Sequence, residues 1–557
     1  MSRKTNSIFK LSKSRLNLTL CIFILLYTLL IYRLVDIQII NNGKYTQMVK
    51  NQTTEKLKLN TGRGNIYDRN NVLLTDKVKN QVIILEKDRI TRDTNILDII
   101  MKNTDLTYLD IYKSIQNQDK TDIVKIQIED INDAQKSNLK KENIIVTNEY
   151  ERYDDKNLLS HTIGYIKQAD NTGQSGIEKN MEEILQSNNE KYISVFKAGD
   201  SGNIEDVEIL SGGTELIKEQ GDSVKLTIDY ELQKKVENIM DKEENPTAVI
   251  ISDIESGEIL TMSSRPNFEQ NNIVKYLDEE NDKGELMNRV ISNTYPAGSV
   301  FKIVVLHSAL ENNIITEDYN YECRGHVEIG DNGEILKCNN LEGHGIQTLQ
   351  QAFSNSCNTA FFDIANKTGK DKIIETAKKF HLHEKVEIGL EEEVNREIPK
   401  EISIRNLSIG QGSMEFTPIQ INQMTQIIAN NGTYKPLYIY DSVINSNKEV
   451  VKIFETSKKE EIISPYTSSI VKEYMKDVSS TGTAKELSEL EGGSGVKTGT
   501  AQSSIDGNPI SHGWITGYYP STSPKYAITI LVEGTKDSSK SAIPIFNDIC
   551  REINNKS

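Results

Sequence analysis

The chain has 557 residues, too many for one ordinary core, so its length predicts two or three folded units. A net charge of −16 excludes nucleic acid as the main partner, because a phosphate-binding face needs clustered Lys and Arg. With 37% apolar and 26% charged residues, the chain is neither disordered throughout nor a multi-span membrane protein.

The first element is the uncharged run LNLTLCIFILLYTLLIY at 16–32, at the short end of what spans a bilayer as a helix. Residues 33–40 extend it if Arg33 snorkels or the helix tilts. Arg3, Lys4, Lys10, Lys13 and Arg15 precede it, and this positive flank predicts a cytoplasmic tail over 1–15, a transmembrane anchor over 16–40 and an extracytoplasmic remainder. A cleaved signal peptide is the competing reading, but no small-x-small cleavage pattern follows the run.

A polar stretch then reaches about residue 220. Within it 81–85 reads as a strand, 96–118 as helical, and 61–70, with its glycines and Asn-Asn pair, as a hairpin edge. The glycine-rich stretch 199–203, continuing to Ser211, Gly212 and Gly213, reads as a linker. A new unit opens with a strand at 224–229, an amphipathic helix through Leu232 and Val236, a strand at 247–252, a turn at 253–257 and a return strand at 258–262. Residues 514–519 and 526–532 read as strands and 545–553 as a closing helix. Strands at both ends with helices between predict an α+β domain whose sheet closes on itself.

Three short motifs lie between those ends. Ser299 and Lys302 form Ser-x-x-Lys at the start of an apolar helix, where one turn sets the ammonium beside the hydroxyl. Shielded from water, and near a second cation such as Lys497, Lys302 can lose its proton and accept one from the serine. Ser356-Cys357-Asn358 offers a hydroxyl to relay protons and an amide to hold a carbonyl. Lys497-Thr498-Gly499-Thr500, read as an edge strand with glycine allowing close backbone approach, suits a carboxylate ligand. Each has a plainer reading alone, as a capped helix start, a turn or a solvated strand end. Their occurrence together in this order outweighs those readings.

With these motifs the sequence resembles the class B penicillin-binding proteins, whose superfamily signature is Ser-x-x-Lys, a Ser-x-Asn-type motif and Lys-Thr-Gly. GRGNIYDR at 62–69, HTIGY at 161–165, SGIE at 175–178, LTID at 226–229, SIGQG at 408–412 with Thr417 and Pro418, and HGWITGYYP at 512–520 extend the resemblance over nearly the whole chain. It implies an elongated, mainly β or α+β dimerisation or pedestal module over 41–220. Over 221–557 it implies a transpeptidase domain of the serine β-lactamase-like kind, an antiparallel sheet flanked by helices. Ser299 would attack the penultimate carbonyl of a D-Ala-D-Ala stem peptide, Lys302 would take its proton, and Ser356 would pass a proton to the departing D-Ala. The backbone N–H groups of Ser299 and Thr500 would form the oxyanion hole. Lys497 and Thr498 would hold the terminal carboxylate, Gly499 would let the strand approach, and Asn358 would hold the substrate amide. An amine of a neighbouring stem would resolve the acyl-enzyme into a cross-link, and a β-lactam would be trapped at the first stage. The implied partners are stem peptides, β-lactams and a polytopic membrane glycosyltransferase. A serine β-lactamase or β-lactam sensor fits the long extracytoplasmic module poorly, and a non-catalytic scaffold needs none of the motif residues.

Five cysteines are present, Cys21 in the apolar run and Cys323, Cys338, Cys357 and Cys550 beyond it; an odd number outside the cytoplasm would leave at least one thiol unpaired, and even four need not form a disulfide framework. The acyl-transfer chemistry requires no cofactor. Cys323, Cys338, His344 and Cys357 nevertheless form a Cys₃His set permitted for tetrahedral structural zinc, with His326 as the alternative to His344. A disulfide between Cys323 and Cys338, or unlinked packing thiols, are the other readings. Bound zinc would brace the loop carrying Cys357, and with it Ser356 and Asn358.

Overall fold

The structure is a computed structural model, and the residues described are 13–45, 54–58, 63–117, 123–142, 144–167, 171–186, 192–198, 208–215, 221–277, 284–329, 334–454, 459–505, 508–535 and 538–555. Packing divides the chain into two compact units, one of residues 1–59, 80–149 and 191–217, the other of 60–79, 150–190 and 218–557.

In the first unit the apolar run forms the helix Lys13–Val35, continued by a π-helical turn Asp36–Ile40. Over Asn17–Ile40 it is the one described helix long and apolar enough to cross a membrane. Arg33 pairs with Asp36 at 2.8 Å, which neutralises the charge at the end of the run. The same unit holds a three-stranded sheet with Val78–Glu86 between Ile123–Ile128 and Ile145–Glu151. Ile83 and Leu85 pack there with Ile96, Ile100, Val124, Ile126 and Leu139, drawn in part from the helices Thr94–Asn103 and Asp133–Lys141. A second sheet joins Thr54–Lys58, Tyr192–Ala198 and Glu208–Glu215. Ser211, Gly212 and Gly213 are therefore strand rather than linker, with Gly212 opposite Val195 and Gly213 opposite Ser194. Glycine weakens a strand without forbidding it, and here the ladder to the neighbouring strand outweighs the loss. The rest of that expected linker, 199–203, lies outside the described residues.

The second unit is built on α1 (Tyr230–Met240), β1 (Thr247–Asp253), β2 (Ile259–Arg265), α2 (Lys302–Glu311), α3 (Asn358–Thr368), α4 (Ile404–Ile409), α5 (Pro418–Ala429), α6 (Pro465–Ser480), β3 (Gly495–Ile505), β4 (Asn508–Tyr519), β5 (Tyr526–Val532) and α7 (Ser538–Asn554). Its central sheet is antiparallel in the order β2-β1-β5-β4-β3. The last part of the chain thus sits beside the first strand, and β3 is left at the edge. Helix α2 buries every residue from Lys302 to Ala309, the polar Lys302, His307 and Ser308 included, so it runs through the core rather than along its surface. Pro at the start of α5 and a Thr417–Gln420 capping box fix where that helix begins.

The separated segments quoted at 62–69 and 175–178 meet in this unit. Arg63 Nε donates to Glu178 Oε2 at 2.9 Å and Arg152 Nε to Glu178 Oε1 at 2.8 Å, while Arg152 Nη1 reaches Asp76 Oδ2 at 2.9 Å. Burial pushes the Glu178 carboxyl up, but Arg152 and Arg63 outweigh it and hold its pKa below the usual range. The expected hairpin edge is a short one: Ile66–Tyr67 turns back through Asn71, at φ 62°, to bridge Tyr67 with Leu73. Residues 61 and 62 lie outside the described set.

Candidate active site

Ser299 stands on a 3₁₀ turn, Gly298–Phe301, that runs directly into α2. Gly298 has φ +54°, and a Cβ there would lie 2.8 Å from the carbonyl oxygen of Thr500. Glycine is what lets the serine turn and β3 close on each other. Across the same seam, a Cβ on Gly499 would meet Ala297 O and Val300 N at 3.2 Å. The Lys-Thr-Gly segment lies on the edge strand, as its sequence predicts.

Lys302, one turn beyond Ser299, is fully buried. Its Nζ donates to Ser356 O at 2.7 Å, Ser356 Oγ at 3.2 Å and Asn358 Oδ1 at 2.7 Å. Lys497, also fully buried, donates to the same Ser356 Oγ at 3.1 Å and to Thr498 O at 2.9 Å. Two amines thus converge on one hydroxyl. The rings of Phe361 and Phe353 lie 5.5 Å from Lys302 Nζ and 5.7 Å from Lys497 Nζ, which excludes water from the ammonium groups. Burial lowers the Lys302 pKa to about 8. Burial, followed by the nearby Lys302 charge, lowers that of Lys497 strongly as well. One amine of the pair is therefore readily neutral near physiological pH, the state needed to accept a proton.

Ser356 is held at φ +53°, in the left-handed region that costs a non-glycine residue about 1–3 kcal/mol. Its N–H donates to Phe353 O at 3.0 Å, and this turn aims the hydroxyl between the two lysines. Thr498 Oγ1 shares a 2.7 Å hydrogen bond with Thr483 Oγ1.

These side chains frame one cleft of about 900 Å³, lined among others by Ser299, Ser356, Asn358, Thr483, Thr498 and Thr500. Neither lysine is part of its lining. Among the described residues, no hydrogen bond joins Ser299 Oγ to Lys302 Nζ. All eight predicted site residues are thus brought to one cleft and the layer beneath it. Thr483, Arg405, Gln411 and Gln502 also line the cleft. Thr483 and Gln502 stand in no motif, while Gln411 lies in the SIGQG segment, where the resemblance marks a landmark without a role.

The cysteine and histidine set also converges. One donor atom from each of Cys323, Cys338, His344 and Cys357 lies within 4.8 Å of the others. Cys338 Sγ is 3.7 Å from Cys357 Sγ and 3.6 Å from His344 Nδ1. A tetrahedral zinc with bonds of about 2.3 Å to sulfur and about 2.0 Å to nitrogen separates its ligands by roughly 3.5–3.8 Å, which the Cys338–Cys357 and Cys338–His344 separations match, and the donor set suits that metal. All five cysteines are free thiols, so the Cys323–Cys338 disulfide is not formed; Cys323 Sγ instead accepts from Thr359 Oγ1 at 3.2 Å. His326 is outside the cluster, exposed on the hairpin strand His326–Ile329.

The model of the penicillin binding protein transpeptidase domain matches residues 247–551, and that of the penicillin-binding protein dimerisation domain matches 58–215. Stage V sporulation protein D of Bacillus subtilis is 26% identical over 564 residues, covering 95% of this chain and 84% of that protein. Peptidoglycan D,D-transpeptidase MrdA of Acinetobacter baumannii is 24% identical over 554 residues, covering 87% of this chain and 80% of that one. The structure of a penicillin-binding protein, PBP2, from Helicobacter pylori superposes with a TM-score of 0.67 at 23% identity, over 90% of this chain and 99% of that one.

Proposed function

Because the chain belongs to the class B penicillin-binding proteins, we propose that it is a serine D,D-transpeptidase that cross-links peptidoglycan stem peptides, with Ser299 as nucleophile. The observation that carries this reading is the pair of buried amines, Lys302 and Lys497, on the Ser356 hydroxyl beneath the serine-bearing cleft.

In this reading Ser299 Oγ attacks the penultimate carbonyl of the donor peptide while Lys302, in the neutral form that its lowered pKa makes accessible, takes the proton. Negative charge develops on the carbonyl oxygen, where the N–H groups of Ser299 and Thr500 stabilise it. Ser356 returns a proton to the departing D-Ala. Lys497 and Thr498 hold the terminal carboxylate, Gly499 keeps the strand close, and Asn358 holds the peptide amide. A neighbouring stem's amine then attacks the acyl-enzyme and releases Ser299. A β-lactam stops at the acyl-enzyme. The test is intact-mass analysis of the full chain in detergent with a penicillin: one drug mass is added to wild type and none to Ser299→Ala. Rapid drug turnover without an adduct would mean a β-lactamase, and neither adduct nor turnover a scaffold.

The division of labour proposed along the chain is a tail over 1–15, an anchor over 16–40, a dimerisation or pedestal module over 41–220 and the transpeptidase domain over 221–557. The positive flank before the anchor supports a cytoplasmic N-terminus with the catalytic domain outside. A polytopic membrane glycosyltransferase is the proposed partner, supplying glycan strands at the same membrane face.

Cys323, Cys338, His344 and Cys357 are proposed to hold a structural zinc. Bound by these residues, a zinc would cross-link the loop that carries Cys357, between Ser356 and Asn358, as a structural brace. Native mass spectrometry is expected to find one zinc per chain, lost in Cys338→Ser. Wild-type chain purified with zinc yet carrying no metal would refute it.

A further inference from the structure

The edge of β3 beside Ser299 is covered by a side chain. Gln411 Nε2 donates to Thr500 O at 3.3 Å, and Gln411 Oε1 accepts from Gln502 N at 3.3 Å. Thr500 and Gln502 are two residues apart on an extended strand, so these backbone groups point to the same side, away from β4. Among the described residues no further strand pairs with β3 there. An unpaired edge is a template for a peptide to add to as another strand. A carboxamide carries the same donor and acceptor as a peptide group.

Resting on the transpeptidase reading above, we propose that Gln411 is a stand-in for the donor peptide's amide, occupying the β3 edge at rest and leaving when the donor docks beside Ser299. Its surroundings suit that task. Ser299, Gln411, Thr500 and Gln502 line the same cleft. The loop is fastened to the serine turn by Gly298 N to Gly410 O at 2.8 Å and Ala297 N to Met414 O at 3.1 Å, so Gln411, just past α4, stands beside the nucleophile's turn and reaches across to the strand. Gly410 and Gly412 flank it with φ of +62° and +75°, and Gln411 N donates to Asn406 O at 2.9 Å, so the backbone stays in place and the β3 edge is released by rotation of the Gln411 side chain alone. Both side-chain hydrogen bonds are at the long end of the range, so an incoming amide of better geometry replaces them at little loss. A chain without a docked donor keeps its edge capped, and a ligand that brings its own amide must compete with Gln411.

The test compares acylation of Ser299 in the full chain by two β-lactams, a penicillin whose acylamino side chain supplies that amide and a carbapenem that lacks it. Gln411→Met keeps the side-chain length and removes both hydrogen bonds, and Gln411→Ala removes the side chain; thermal unfolding identifies the folded variant if one fails. The second-order rate constant for the penicillin is expected to rise about three- to tenfold, with the carbapenem within about twofold of wild type. A penicillin rate that is unchanged or lower, or an equal change with both drugs, would overturn the proposal and leave Gln411 as a loop brace or a direct ligand contact. Failure of both drugs to label Ser299 in wild type would instead overturn the transpeptidase reading itself.

Discussion

At the scale of single residues the site turns on the environment of Lys302. An exposed lysine is charged at neutral pH and cannot take a proton, whereas burial brings this one to about 8. The neutral form is the base, so acylation of Ser299 is expected to slow as pH falls and to reach its plateau above about pH 8, followed as penicillin adduct formed per unit time across pH 6–9. A flat profile would remove Lys302 from the role of base. Ser356 is the hinge of the arrangement, because both amines use its Oγ. Ser356→Ala is expected to lower acylation by about 10²–10⁴-fold, the usual range for losing a proton-transfer group, while binding of the drug before acylation changes far less. Ser-x-x-Lys and Ser-Cys-Asn were legible as motifs, but neither spacing reveals that the serine of the second motif adopts a left-handed backbone to reach the lysines of the other two.

Between elements, the buried ion cluster of the second unit is the most exposed to test. Glu178 accepts from two guanidinium groups and is fully buried, whereas Glu182, which also pairs with Arg63 at 2.8 Å, leaves 27% of its side chain in solvent. Glu178→Gln removes the carboxylate that Arg63 and Arg152 share, leaving Arg63 only Glu182 and Arg152 only Asp76, and is expected to cost about 3–5 kcal/mol. Glu182→Gln is expected to cost no more than about 1 kcal/mol. Denaturant unfolding measures both, and equal costs would show that burial of the cluster is not what matters. The segments 62–69 and 175–178 were visible in the sequence as landmarks. That Arg63 and Glu178 are partners was not, since nothing local relates residues separated by more than a hundred positions.

For the whole molecule, pH acts on stability through buried histidines. His161 and His307 are both brought to about 3 by burial, well below their ordinary value near 6.5. The unfolded chain binds protons that the folded one refuses, so their contribution is fully present above about pH 6.5 and is lost as pH falls towards 3. At pH 5 each costs about 2 kcal/mol, while Asp76, raised to about 6 by burial, takes up its proton in the folded state and offsets roughly 1 kcal/mol. The double variant His161→Gln, His307→Gln is expected to lose less thermal stability than wild type between pH 7 and 5, and parallel melting curves would rule the histidines out. The sequence alone determined what depends on neighbours along the chain: the apolar run at 16–32, the strands near 81, 247, 514 and 526, the closing helix, and the three motifs in their order. Periodicity and local composition carry that information because each feature is decided within a few residues. Glycine content misled at 211–213, where pairing with the preceding strand, Tyr192–Ala198, decides the conformation. Tertiary structure alone decided that Lys302, Ser356 and Lys497 share one hydroxyl, that three cysteines and His344 close on one point, and that Gln411 caps the edge of β3. The cause is the sheet order β2-β1-β5-β4-β3, which returns the late strands to the early ones and sets an edge strand against the serine turn.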